Sequence, residues 1–76
     1  MKRFIIINKN GEMLHSNNCF YNFIMGGFGV NLVVYKRMKS AEKMAQKVNG
    51  IVVCIDNNTI SKEVINNKLK SLSYEN

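Results

Sequence analysis

The chain has 76 residues, of which 46% are hydrophobic and 21% are charged. A chain of this length can bury one hydrophobic core, so we expect a single domain over residues 1–76, and its composition excludes a disordered protein. Eleven Lys and Arg residues against five Asp and Glu residues give a formal net charge of +6, which favours acidic or polyanionic partners and excludes mimicry of DNA by an acidic surface.

The cysteine content and the lengths of the apolar runs bear on the cellular compartment. Cys19 and Cys54 are too few for the disulfide framework of a small secreted domain, so we expect both to be reduced thiols. The apolar run at residues 4–7 is shorter than the roughly 7–15 residues of a signal-peptide core, and residues 51–55 fall far below the ~18 residues of a membrane span. We therefore expect a cytoplasmic protein without a membrane partner.

The first sixteen residues predict a β-hairpin. Residues 3–7 are mostly β-branched or aromatic, and the dipeptide Asn10-Gly11 tolerates the positive φ of a tight turn. A second strand is expected over residues 12–16, with Met13 and His15 on one face. We expect His15 to be structural, because no Ser, Cys or carboxylate motif accompanies it.

Residues 17–29 form an aromatic and glycine-rich segment that the sequence leaves open between a strand and an irregular loop. If the segment is extended, its large side chains cannot all face one small core, because alternate side chains point to opposite faces. Exposed members would anchor a partner protein or stack on unpaired bases, whereas a sheet covered on both faces would bury them all. The candidate anchors are Phe20, Tyr21, Phe23 and Phe28.

After Gly29 the sequence predicts a strand and then a helix. Residues 30–37 have the β-propensity of a buried strand near the centre of the sheet. Ser40 is a good N-cap for a helix with apolar residues at i, i+3, i+4 and i+7, and Asn49-Gly50 supplies its end. These apolar residues are Ala41, Met44, Ala45 and Val48.

The last third of the chain predicts a buried strand and a second helix. Residues 51–55 are an apolar β run, and the helix is expected to begin near Thr59 or Ser61, since either residue can cap it. Residues 73–76 are expected to be a frayed tail. The buried stripe of this helix is Ile60, Val64, Ile65, Leu69 and Leu72.

The element order ββ(β)βαβα predicts an α+β fold. We expect a small antiparallel sheet of four or five strands with two helices packed on one of its faces, which makes a two-layer domain.

Basic residues follow one side of the first predicted helix. Their spacing of i, i+4 and i+8 would let them track a phosphate backbone, although a solvated helix face is normally charged as well. This basic ridge consists of Lys39, Lys43 and Lys47, with Lys36 and Arg37 leading into it.

The sequence carries no motif for catalysis, for a metal or for a cofactor. The five acidic residues lie on different elements, so no carboxylate pair is expected. A structural zinc needs four ligands at short paired spacings, and the chain has one histidine and no C-x-x-C. Residues 26–29 lack the spacing of a phosphate-binding glycine loop. We therefore expect a protein that is not an enzyme and holds no cofactor.

The hairpin, the further strand and the segment YKRMKSAEKMAQKVNGIVVCID resemble small proteins of phages and mobile elements, among them some anti-CRISPR inhibitors. The resemblance covers mainly residues 36–56. It implies a non-enzymatic inhibitor that binds a bacterial defence complex in the host cytoplasm. No residue role is transferred, because that group of proteins shares no site motif.

Two hypotheses follow for the function. In the first, the aromatic residues anchor a host protein or ribonucleoprotein complex and the basic residues steer the approach. In the second, the basic ridge binds nucleic acid and the aromatic residues stack on bases. A homodimer through an edge strand or the second helix is a further expectation that the sequence leaves open.

Overall fold

A computed structural model of the chain describes residues 2–25, 29–56 and 60–73. Its elements in chain order are β1 (Lys2–Ile7), β2 (Met13–Leu14), β3 (Phe20–Tyr21), α1 (Met38–Val48), β4 (Ile51–Asp56) and α2 (Lys62–Ser73). All strand pairs are antiparallel, in the order β3-β2-β1-β4. The α+β class with a small antiparallel sheet and two helices is confirmed. Neither helix in this part of the chain has the length and apolar content that crossing a membrane requires.

Strand β1 is buried on both faces, and the two helices lie on opposite sides of the sheet. Ile5, Ile6 and Ile7 have no exposed surface. Ile6 packs in a cluster with Ala45 of α1, whereas Ile5 and Ile7 pack in a cluster with Ile65 of α2. The predicted two-layer arrangement was therefore wrong, and the fold has three layers. The reason is the run of isoleucines, which alternate between the two faces and need a cover on each.

Residues 30–37, predicted to be a central strand, do not form one. Tyr35 makes an isolated bridge to Phe4, with two N–H···O distances of 2.8 Å, and Leu32 makes one to His15. Because β2 pairs with β1 at a single residue pair, this segment occupies the place beside β1 that β2 leaves empty. The prediction failed because β-propensity reports a half-buried environment, which the segment has without a continuous ladder.

Strand β4 lies at an edge of the sheet. Phe4 pairs with Cys54 across β1 and β4, yet Phe4 directs both of its backbone hydrogen bonds to Tyr35 on the other side. The Phe4–Cys54 pair is therefore of the non-hydrogen-bonded kind, and the N–H and C=O of Cys54 point away from β1. Within the described ranges no strand pairs with that outer side of β4.

Helix α1 begins at Met38, before the predicted cap Ser40. Arg37 holds the N-cap position with an extended backbone and makes no side-chain capping hydrogen bond. Ser40 lies inside the first turn, so its prediction as the cap was wrong. The predicted end is confirmed, because Asn49 adopts a left-handed φ of 53° and its N–H bonds to the carbonyl of Ala45.

Helix α2 is capped by Ser61, one of the two predicted caps. The N–H of Val64 donates to Ser61 Oγ at 3.2 Å. Thr59, the other candidate, lies outside the described residues. Ser73 is the last residue of α2, and residues 74–76 of the predicted tail also lie outside the described part. Of the expected stripe, Ile65 is buried and Ile60, Val64, Leu69 and Leu72 are half-buried.

We predict that Ser61→Ala and Ser40→Ala differ in their effect on stability. Ser61→Ala removes the oxygen that accepts from Val64, and loss of an N-cap costs about 1 kcal/mol. Ser40→Ala removes no cap and introduces a better helix former, so the free energy of unfolding should stay the same or rise by up to about 0.5 kcal/mol. Urea unfolding of both variants beside the parent chain measures the difference. Equal destabilisation by both would contradict the observed start of α1.

We predict that Gly50→Ala lowers the free energy of unfolding by about 1–3 kcal/mol, because it overpacks the core. A Cβ at Gly50 would overlap Ile6 Cγ2 and would lie 3.3 Å from the carbonyl oxygen of Ile7. The midpoint of urea unfolding is the measurement, with Gln46→Ala on the exposed side of α1 as the matched control. An unchanged midpoint for Gly50→Ala would contradict this packing.

Candidate functional site

His15 is fully buried and holds the irregular segment after β3 against the sheet. Its Nε2 accepts a hydrogen bond from the backbone N–H of Met25 at 3.0 Å. Because a backbone N–H can only donate, the ring carries its proton on Nδ1, which donates to the carbonyl of Met13 at 2.9 Å. The neutral ring thus connects β2 to residues that follow β3. The expectation of a structural histidine is confirmed by these two bonds.

A row of rings leads from this histidine to the surface. Tyr21 meets the His15 ring edge-on, with centroids 4.9 Å apart and planes at 90°, and Phe23 packs on Tyr21 at 5.8 Å. The Tyr21 hydroxyl accepts a hydrogen bond from Asn17 Nδ2 at 2.8 Å. Phe23 and its neighbour Ile24 remain 56% and 55% exposed. We call Phe23 and Ile24 the apolar lip.

The apolar lip borders a cleft of about 540 Å³ between the first hairpin turn and the start of α2. The hairpin turn packs closely on α2: an added Cβ at Gly11 would lie 3.3 Å from Ile65 Cγ2, and Gly11 has a positive φ of 79°. Met13 and Ile65 are the buried residues of the cleft. Polar side chains surround it, namely Asn10, Asn22, Ser61, Lys62 and Asn66.

The four predicted aromatic anchors do not form one surface. Phe20 is half-buried in the cluster with Ile6 and Leu14, on the α1 side of the sheet. Tyr21 stands opposite Met13 and therefore points to the α2 side, as does Phe23, which lines the cleft. Phe28 lies outside the described residues. The predicted alternation of side chains thus separates Phe20 from Tyr21 and leaves Phe23 as the exposed aromatic residue of the three that are described.

Lys39, Lys43 and Lys47 of the predicted basic ridge lie on the solvent side of α1, whose buried residues are Ala41 and Ala45, and Lys36 and Arg37 directly precede the helix. The ridge side chains are all exposed, and none has a hydrogen bond or an ion pair with the described part of the chain. Because α1 and α2 cover opposite faces of the sheet, the basic ridge and the apolar lip face in different directions. The ridge residues are Lys36, Arg37, Lys39, Lys43 and Lys47.

Sequence reasoning missed the cleft and the polar residues around it. Asn10, Asn22 and Lys62 lie far apart in the chain and come together only because the hairpin turn packs on α2. One local pattern in the sequence did relate to the cleft. Met13 and His15 were predicted to share a face of the second strand, and in the structure Tyr21, which pairs with Met13, lies on that face as well.

Comparisons of the chain with protein-family models, with curated proteins and with solved structures gave no match. Among the residues that the structure describes, no group of three or more His, Cys, Asp and Glu side chains is placed to hold a metal ion. The candidate site is therefore the apolar lip with its cleft, and the basic ridge is a second, separate surface.

We predict that His15→Ala releases the segment that carries the apolar lip. The change leaves the N–H of Met25 and the carbonyl of Met13 without their partner and opens a cavity, so the free energy of unfolding should fall by about 2–3 kcal/mol. Amide hydrogen exchange followed by NMR should show protection at Met25 in the parent chain and its loss in the variant.

The matched control is Asn17→Ala, which removes two exposed hydrogen bonds, one to the Tyr21 hydroxyl and one from the N–H of Cys19, and leaves the bonds of the His15 ring intact. Protection at Met25 should persist in this control. Retained protection in His15→Ala would show that the histidine does not position the segment.

Proposed function

We propose that this chain is a non-enzymatic binding protein whose apolar lip contacts another protein. The observation that carries the proposal is the exposure of Phe23 and Ile24, at 56% and 55%, on a segment fixed by His15. Large apolar side chains that stay exposed on an ordered segment supply contact area with little further loss of conformational entropy on binding. Their position beside a cleft adds a concave surface for a partner residue.

The roles of the other aromatic residues follow from their packing. Phe20 stabilises the core under α1, so its loss should lower stability rather than affinity. The Tyr21 ring packs between the rings of His15 and Phe23 and so holds Phe23 in position. The contact surface proposed for the partner is therefore smaller than the predicted set of four aromatic anchors.

The specific form that we propose is a phage-type inhibitor of a bacterial defence complex, acting in the host cytoplasm. This form rests on the resemblance of residues 36–56 to small phage and mobile-element proteins, including anti-CRISPR inhibitors. The net charge of +6 is in keeping with a partner that is acidic or carries nucleic acid, because such a charge raises the rate of encounter with anionic complexes.

Nucleic-acid binding by the basic ridge is the second candidate function. Its specific support is that the five ridge side chains are exposed and make no bond with the described residues, so their charges are free to meet phosphates. Each phosphate contact would release counterions and make the affinity fall with salt. The ridge contains a single arginine, which favours contacts with the backbone over base reading.

A homodimer would use the outer edge of β4, where the backbone groups of Cys54 point outward. Charge opposes this pairing, since each copy carries +6. An antiparallel pairing centred on Cys54 would bring Asp56 of one copy beside Val52 of the other, where Glu42 and Lys68 both line a cavity with that valine, so the local charges do not favour the pairing. We therefore rank a different partner above a second copy.

We predict that the two candidate surfaces can be separated by mutation, because they face in different directions. Phe23→Ser with Ile24→Ser should abolish capture of a partner protein and leave nucleic-acid binding unchanged. Lys39→Gln, Lys43→Gln and Lys47→Gln together should weaken binding to duplex and single-stranded DNA and RNA about tenfold or more and reduce its salt slope. Pull-downs quantified by mass spectrometry and gel shifts at three salt concentrations measure the two activities.

Capture of the same protein by the parent chain and by the lysine variant, but not by the lip variant, is the expected result. Sub-micromolar nucleic-acid binding at physiological salt, lost in the lysine variant, with no protein whose capture depends on the lip, would replace the first proposal with the second.

A further inference from the structure

The cleft beside the apolar lip combines an apolar interior with polar side chains at its border. Met13 and Ile65 are buried within it, and Phe23, Ile24 and Ile60 add apolar surface. The amide groups of Asn10, Asn22 and Asn66 and the ammonium group of Lys62 also line it. None of these four polar side chains has a hydrogen bond or an ion pair with the described residues.

The charge of the lining has one sign. Among the described residues that line the cleft, Lys62 is the one with a charge and none is acidic. Glu12, which adjoins the hairpin turn, bonds instead to Asn8 Nδ2 at 2.8 Å. An ammonium group and amide N–H groups around an apolar interior are complementary to a carboxylate that lies next to an apolar side chain.

The volume of the cleft limits the size of the group that it can hold. About 540 Å³ lies within the range of pockets that bury a compact ligand. The space suits one large apolar side chain with a neighbouring carboxylate and is too small for a folded element. A partner segment would continue out of the cleft across Phe23 and Ile24.

We propose that this cleft receives an acidic segment of the partner protein, with one large apolar side chain inside the cleft and an adjacent carboxylate at Lys62. The proposal rests on the proposed function, because it names the partner chemistry of the same site. The carboxylate bonds to the Lys62 ammonium and to one or more of the asparagine amides, and the net charge of +6 draws the segment towards the protein.

The direct test is an NMR titration of the full isotope-labelled chain with a pentapeptide whose central phenylalanine is flanked by two glutamates on each side. Chemical-shift changes are expected at Asn10, Gly11, Asn22 and Asn66. A peptide with glutamines in place of the glutamates, and a peptide with alanine in place of the phenylalanine, should each bind about fivefold or more weakly.

Lys62→Gln should weaken binding of the acidic pentapeptide about fivefold. The matched control is Lys70→Gln, which removes the same charge from the last turn of the same helix, away from the cleft. Equal weakening by the two variants would show attraction by net charge alone and overturn the proposal. Shift changes that concentrate on α1 would also overturn it.

Two further arms separate this proposal from its alternatives. Binding of N-acetyl-phenylalanine as tightly as the pentapeptide would make the site one for a small carboxylate and not for a protein segment. Binding of an oligonucleotide at the same residues would make it a nucleic-acid site. If partner capture depends on Phe23 and Ile24 but is unaffected by Lys62→Gln, the proposed function stands and the acidic-segment inference fails.

Discussion

Burial of strand β1 on both faces is the constraint from which the rest of the structure follows. Three consecutive isoleucines have no exposed surface, and full burial of each contributes about 1.5–3 kcal/mol. Because neighbouring side chains point to opposite faces, this burial requires a cover on each side of the sheet. With α1 on one face and α2 on the other, both helices of the described chain are committed to covering β1 and its neighbours.

The His15 side chain supplies hydrogen bonds in a region where the short strands β2 and β3 provide few. Strands β2 and β3 have two residues each, so the chain around them lacks the ladder of hydrogen bonds that would hold it. His15 takes over part of this task, because its two ring nitrogens bond to Met13 and Met25. A buried polar residue must be satisfied in this way to be tolerated in a core. The same bonds fix the residues that present the apolar lip, so the core and the candidate site share one set of interactions.

The sequence predicted the local elements better than their assembly. The hairpin, both helices, the Asn49 end of α1 and the Ser61 cap of α2 depend on residues close in the chain, and the structure bears them out. The number of layers depends on which face each helix covers, and helix periodicity does not specify that choice. The three isoleucines of β1 carried the missing information, because a strand with one solvated face alternates apolar and polar residues.

The candidate site was also predicted only in part, because its local features are visible in the sequence and its long-range contacts are not. The alternation rule applies within β3, where it places Phe20 and Tyr21 on opposite faces, whereas Phe23 is exposed in the irregular residues that follow the strand. It could not say that His15 would hold the segment, since that contact joins residues ten positions apart through a buried ring. The cleft needed the packing of Gly11 on Ile65, which no pattern in either segment indicates alone.

The separation of the two surfaces limits how they can act together. The molecule measures 39 × 25 × 23 Å, and the sheet with its covering helices lies between the basic ridge and the apolar lip. At physiological ionic strength the Debye length is about 8 Å, so the ridge charges are largely screened from a partner seated at the lip. They can speed encounter at low salt but add little affinity for a compact protein. If the proposed function holds, both surfaces contribute to affinity only when one partner contacts the apolar lip and the basic ridge at the same time. A protein that carries nucleic acid next to its binding site could do so.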